Sequence, residues 1–101
     1  MSISQFFQQG DVLIFDVVEL PTDAIAQESR VVQEGEHTGH AHRLDAGEVL
    51  VHEGIKYLRL LEPTTIRHEE HAPIKLPRGN YQIGIVREYD HFSEEARAVA
   101  D

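Results

Sequence analysis

Turn-forming residues interrupt this chain about every eight to twelve residues, which leaves room for short strands and little else. The interruptions are Gly10, Pro21, Asp45-Ala-Gly47, Gly54, Pro63 and Pro77-Arg-Gly79, and each contains a glycine or a proline. Between them β-branched and aromatic residues alternate with polar ones, the period of a half-buried strand. The pattern predicts strands at 11–19, 30–34, 39–44, 48–53, 56–62, 64–68, 71–76 and 80–89. In the last, Tyr81, Ile83, Ile85 and Tyr89 fall on one face and Gln82, Gly84 and Glu88 on the other. Residues 22–29 fit either a loop or one helical turn, and residues 1–10 read as an N-terminal arm. Ser93 as an N-cap, Glu94 and Glu95 at the positive end of the dipole, and an alanine-rich tail predict a helix over 93–101. A chain of 101 residues suits one domain with one modest core. The expected architecture is mostly β: a small antiparallel barrel or sandwich over 11–90 with a short C-terminal helix.

On this frame stand seven histidines, five of them in two runs, His37-Thr-Gly-His40-Ala-His42 and His68-Glu-Glu-His71. Residues two apart on a strand point the same way, so His40, His42 and Leu44 share a face, as do Thr64, Ile66 and His68, and Glu48, Leu50 and His52. In each set the apolar member marks the core side, so the imidazoles are expected to converge on a common interior. A buried neutral imidazole keeps one donor and one acceptor to satisfy. A divalent metal takes the acceptors, and neighbouring carboxylates can take the opposite N–H groups. The expected ligands are His40, His42, His68 and His71. With no cysteine the donor set is nitrogen and oxygen, which suits zinc, nickel, manganese or iron. Glu48 and Glu70 are the candidate proton-handling groups beside a metal-bound water. Glu69 is a further candidate to hold an imidazole N–H. Arg43 and Arg67 flank the runs and either bind an anionic substrate such as phosphate or carboxylate, or pair with Glu69, Glu70 or Glu48. His37 lies in a glycine-flanked loop, and His91 reads as structural or solvated.

Composition removes several alternatives. The absence of cysteine excludes disulfides, thiolate zinc sites and thiol nucleophiles. Ser2, Ser4, Ser29 and Ser93 lack a nucleophile-elbow context, and no glycine-rich phosphate loop is present. The formal charge of −9 is concentrated toward the termini, which argues against broad binding to nucleic acid or anionic lipid. No run approaches the roughly 18 apolar residues of a membrane span. The first ten residues lack the basic and apolar regions of a signal peptide, so a cytoplasmic location is expected.

The segments Gly10-Asp-Val-Leu13, Thr38-Gly-His-Ala-His-Arg43, His68-Glu-Glu-His-Ala-Pro-Ile74, Leu76-Pro-Arg-Gly-Asn-Tyr81 and Arg87-Glu-Tyr-Asp90 together resemble a family of small bacterial proteins of unknown function. The resemblance covers nearly the whole chain and implies that both histidine runs and Arg43 belong to the family's shared core, with His37 outside it. Separately, Gly35, His40-Ala-His42, Glu48 and Gly54 resemble the first metal-binding motif of cupins, with spacing that differs by about a residue. Pro77-Arg-Gly79 resembles the turn of the second cupin motif, but Gln82 stands where that motif has its histidine. The cupin likeness therefore implies a small antiparallel barrel with a metal in its mouth, and His68 or His71 as the replacement ligand.

Three functional readings follow. The first is a histidine-rich metal-binding domain, with metal-assisted hydrolysis or cupin-like chemistry on a small polar or anionic substrate if it is an enzyme. The second is a non-enzymatic ligand-binding or assembly module, with structural histidines and a second copy of the chain as partner. The third is an RNA- or nucleotide-phosphate-processing protein using Arg43 and Arg67.

Overall fold

The computed structural model describes residues 5–35 and 39–86. Ten strands follow one another: β1 (Phe6–Gln9), β2 (Val12–Val17), β3 (Ile25–Ala26), β4 (Val31–Glu34), β5 (Ala41–Leu44), β6 (Glu48–His52), β7 (Ile55–Leu60), β8 (Thr64–Arg67), β9 (Ile74–Leu76) and β10 (Gly79–Ile85). They form two antiparallel sheets, one ordered β1-β2-β10-β7-β6-β3 and the other β4-β5-β8-β9. Both sheets contribute to one apolar core. Val12, Ile14, Val49, Leu58, Leu60, Tyr81 and Ile83 come from the larger sheet, and Val32, Leu44, Ile66 and Leu76 from the smaller. Of the alternation expected along 80–89, the described part is observed: Tyr81 and Ile83 are buried and their neighbours are half-buried.

This arrangement is a small sandwich, and of the two architectures expected, the barrel gives way: the described residues form two separate sheets and no closed barrel. The N-terminal arm contains β1, whose paired residues Phe6-Phe7 and Gln8-Gln9 hide the alternation in the sequence. Residues 22–29 contain β3, a two-residue edge strand with both side chains exposed. The strand expected at 71–76 begins only at Ile74, because His68 to Pro73 form the loop between β8 and β9. The helix expected at 93–101 and the end of the strand expected at 80–89 lie outside the described residues, as does His91.

Two tight hairpin turns fix the registers that matter. Glu53 and Gly54 join β6 to β7 with φ of 51° and 80°, the left-handed pair of a two-residue hairpin loop. Gly10 and Asp11 join β1 to β2, with Gly10 at φ 60° in the first turn position. That second turn reaches across to the smaller sheet. Gln9 donates from Nε2 to the carbonyls of Ile66 on β8 and Ala72 in the β8–β9 loop, at 3.0 and 2.9 Å.

Candidate metal centre

Strand register brings the two histidine runs together. In the β5–β8 pairing Leu44 faces Ile66 and Arg43 faces Arg67, so one step further along places His42 opposite His68. Their ring centroids are 4.3 Å apart. His71, in the loop that follows β8, lies 4.6 Å from His68 and 6.1 Å from His42, nearly parallel to the latter. His40 meets His68 edge-on at 5.8 Å. All four imidazoles named from the sequence therefore form one group.

The most constrained member is His42, which is 2% exposed. Its Nδ1 lies 2.8 Å from Oε1 of Gln9, itself buried. Because Gln9 Nε2 is committed to two carbonyl oxygens, its Oε1 must accept, so His42 Nδ1 carries the hydrogen and donates it. Reversing the amide would set an oxygen against two other oxygens. The neutral ring thus presents a bare Nε2 lone pair, and Nε2 lies 3.7 Å from Asp11 Oδ1. Burial first, and then the neighbouring His68, push the His42 pKa down to about 4, so near neutral pH no proton stands between the lone pair and the carboxylate. Two acceptors at that separation can be bridged by a cation, or by a water that donates to both.

The remaining groups ring the same spot. Glu70 brings Oε2 to 3.5 Å from His40 Nδ1. Glu69 accepts from the Ala41 N–H and from Arg43 Nη1, both at 2.9 Å. Those bonds, the backbone one first, hold its carboxyl down at about 2, so Glu69 is a permanent anion. One donor atom each from His40, His68 and Glu69 lie within 4.8 Å of one another. His68 Nδ1 accepts the Glu70 backbone N–H at 3.0 Å, so engaging that nitrogen with a metal exchanges one bond for another. His71 rests on the β1–β2 turn: a Cβ on Gly10 would sit 2.5 Å from His71 Nε2.

The donor spacings suit a transition metal. Two donors each about 2.1 Å from one ion stand about 3.4 Å apart at a tetrahedral angle and up to about 4.2 Å when opposed. The separations of 3.7 Å for His42–Asp11 and 3.5 Å for His40–Glu70 fall inside that range. Gln9 fixes the His42 tautomer in the way an outer partner does for a ligating imidazole.

Not every residue named from the sequence joins the group. Glu48 stands on β6 of the larger sheet with its carboxylate bound to Arg59 at 2.8 Å. Arg67 is exposed and bound to Asp45 at 2.9 Å, while Arg43 is bound to Glu69. Arg43 also lines a cleft of about 600 Å³, together with Arg30, Gln27, Ser29 and Glu48. His52 faces Glu53 in its own hairpin at 3.7 Å, and Gln82 pairs between Phe15 and Tyr57 in the larger sheet. His37 lies outside the described residues. Two contributors, Gln9 and Asp11, were missed by the sequence reading. The signal for Gln9 was a polar residue in the inward phase set by Phe7, and for Asp11 its place beside a turn glycine.

Among known proteins, a family model described as "Domain of unknown function (DUF8820)" matches residues 8–86, which takes in every described residue of this group. No curated protein and no solved structure matches the chain.

Proposed function

Because the chain belongs to the DUF8820 family, whose description assigns no activity, we propose a function from its own side chains: a small histidine-rich β-sandwich that binds a divalent transition metal. The observation that carries this reading is the buried His42, whose bare Nε2 lies 3.7 Å from the Asp11 carboxylate while Gln9 holds its other nitrogen. His68 and His71 lie beside His42, and His40, His68 and Glu69 bring one donor atom each within 4.8 Å of one another, so the cluster offers nitrogen and oxygen donors suited to zinc, nickel, manganese or iron. When bound, such an ion supplies Lewis acidity toward a coordinated water or substrate oxygen. Asp11 and Glu70 are half or more exposed, so a small polar or anionic molecule can reach the group from solvent. Glu70 is the carboxylate at hand to take or give a proton there. Glu48, bound to Arg59 on the larger sheet, has no part in this reading.

The test is elemental analysis of protein purified without a histidine tag, before and after exposure to zinc, nickel, manganese or iron(II) and desalting. The reading expects at least one ion per chain, and a loss of that ion in His42→Ala. Wild-type protein that retains no ion from any of the four sinks it.

One observation favours a second reading, in which the histidines are a metal-free hydrogen-bonded cluster that stiffens the sandwich. The Glu70 N–H already occupies His68 Nδ1. Under that reading metals leave the melting temperature unchanged, whereas metal binding raises it with concentration.

A further inference from the structure

Resting on the metal-binding reading, we infer that the centre holds two ions rather than one, each anchored by its own imidazole–carboxylate pair. The donors outnumber what one ion takes. Four imidazoles with Asp11, Glu69 and Glu70 make seven side chains, against four positions for a zinc-like ion and six for an octahedral one.

The donors also divide in space. At one end His42 Nε2 faces Asp11 Oδ1 at 3.7 Å, with His71 resting on the same β1–β2 turn. At the other end His40 Nδ1 faces Glu70 Oε2 at 3.5 Å, and His40, His68 and Glu69 bring one donor atom each within 4.8 Å. His40 and His42 are two apart on the chain, which in extended backbone separates their Cα atoms by about 6.6 Å. His68 lies between them, 5.8 Å from one ring and 4.3 Å from the other. His68 is thus the hub of the four rings, 4.3 to 5.8 Å from each of the others, and the carboxylates meet the group at two different rings, Asp11 at His42 and Glu70 at His40. Asp11 comes from the β1–β2 turn of the larger sheet and Glu70 from the β8–β9 loop beside the smaller one, so the two ends are built by different elements.

A pair of neighbouring divalent ions held by nitrogen and oxygen donors is the arrangement that clamps both the attacking and the leaving oxygen in displacement at an ester or phosphoester. A second ion would therefore make an oxygen-rich anionic ester the fitting substrate class, with Arg43 close to the site through its bond to Glu69.

The experiment is zinc stoichiometry by equilibrium dialysis and elemental analysis on untagged wild-type protein, Asp11→Asn and Glu70→Gln, with circular dichroism to verify the fold. Both substitutions are isosteric and fall on half or more exposed side chains, so the sandwich should survive them. The inference expects two zinc ions per wild-type chain and one in each variant. Manganese-loaded wild-type protein should give an exchange-coupled spin-resonance signal that either substitution removes. A single zinc per wild-type chain, with manganese spectra of isolated ions, overturns the two-ion centre while leaving metal binding intact. No ion retained from zinc, nickel, manganese or iron(II) overturns both. Two ions retained in Glu70→Gln, or in Asp11→Asn, overturns the assignment of the ends.

Discussion

Gln9 determines what His42 can do. Its amide spans three partners, and its carbonyl selects the His42 tautomer that leaves Nε2 bare. Replacing it by leucine strands the Ile66 and Ala72 carbonyls and the His42 Nδ1 hydrogen. Gln9→Leu is expected to destabilise the fold by on the order of 3 kcal/mol in denaturant titrations, since each buried unmet group costs about 1–3 kcal/mol. Loss of the tautomer lock should also weaken metal binding about 10- to 100-fold. His42 itself gives a pH signature in chelator-treated protein. Its pKa lies near 4 in the fold and near 6.5 as a free side chain. Between those values the unfolded chain binds the extra proton, so stability is intact above pH 6.5 and falls as the pH drops toward 4. The loss over that window is on the order of 3 kcal/mol at most. Urea titrations across it should show the slope in wild type and not in His42→Leu. An imidazole resonance of His42 titrating near 6.5 would contradict the burial argument.

At the scale of elements, the β1–β2 hairpin is the part that joins the sheets at the site. Gly10 is needed there for two independent reasons, its φ of 60° and the His71 ring where a Cβ would stand. Gly10→Ala is expected to lower stability by about 1–2 kcal/mol from backbone strain alone. It should lower metal affinity as well, by pushing His71 off the turn. Titration of zinc against this variant and wild type tests both effects, and unchanged affinity would remove His71 from the donor set. Most strands were legible because alternation of apolar and polar residues is a local property. Val12 and Ile14, or Tyr81 and Ile83, declare a buried face without reference to the rest of the chain. β1 and β3 were not legible: one doubles its residues as Phe-Phe-Gln-Gln, and the other buries neither side chain. The β8–β9 loop carries histidine and glutamate in a spacing that a strand could also carry, so only the pairing of Ile74 to Ile66 locates its end.

For the whole molecule, the two sheets share a core, and at one edge of it the polar group of Gln9, His42 and Asp11 spans the seam between them. A metal bound there ties the sheets together, so it should stabilise the fold globally. Zinc at 100 times its dissociation constant is expected to add about 2.7 kcal/mol, read as a rise in melting temperature that depends on zinc concentration. The clustering of His40, His42, His68 and His71 could be anticipated because residues two apart share a face, and register completed the match. Gln9 and Asp11 left only a faint signal in the sequence, and the exclusion of Glu48 left none. A strand's sequence tells which face is buried but not which sheet the strand joins, and that choice put Glu48 beside Arg59. Among the described residues no helix is long and apolar enough to cross a membrane.

The most direct measurement is anomalous X-ray scattering at the zinc edge from crystals of the untagged protein soaked in a zinc salt. The account predicts a peak within bonding distance of His42 Nε2 and Asp11 Oδ1, with Gln9 still bound to Nδ1. An anomalous map empty at His42, with zinc only on scattered surface histidines such as His52, would contradict it.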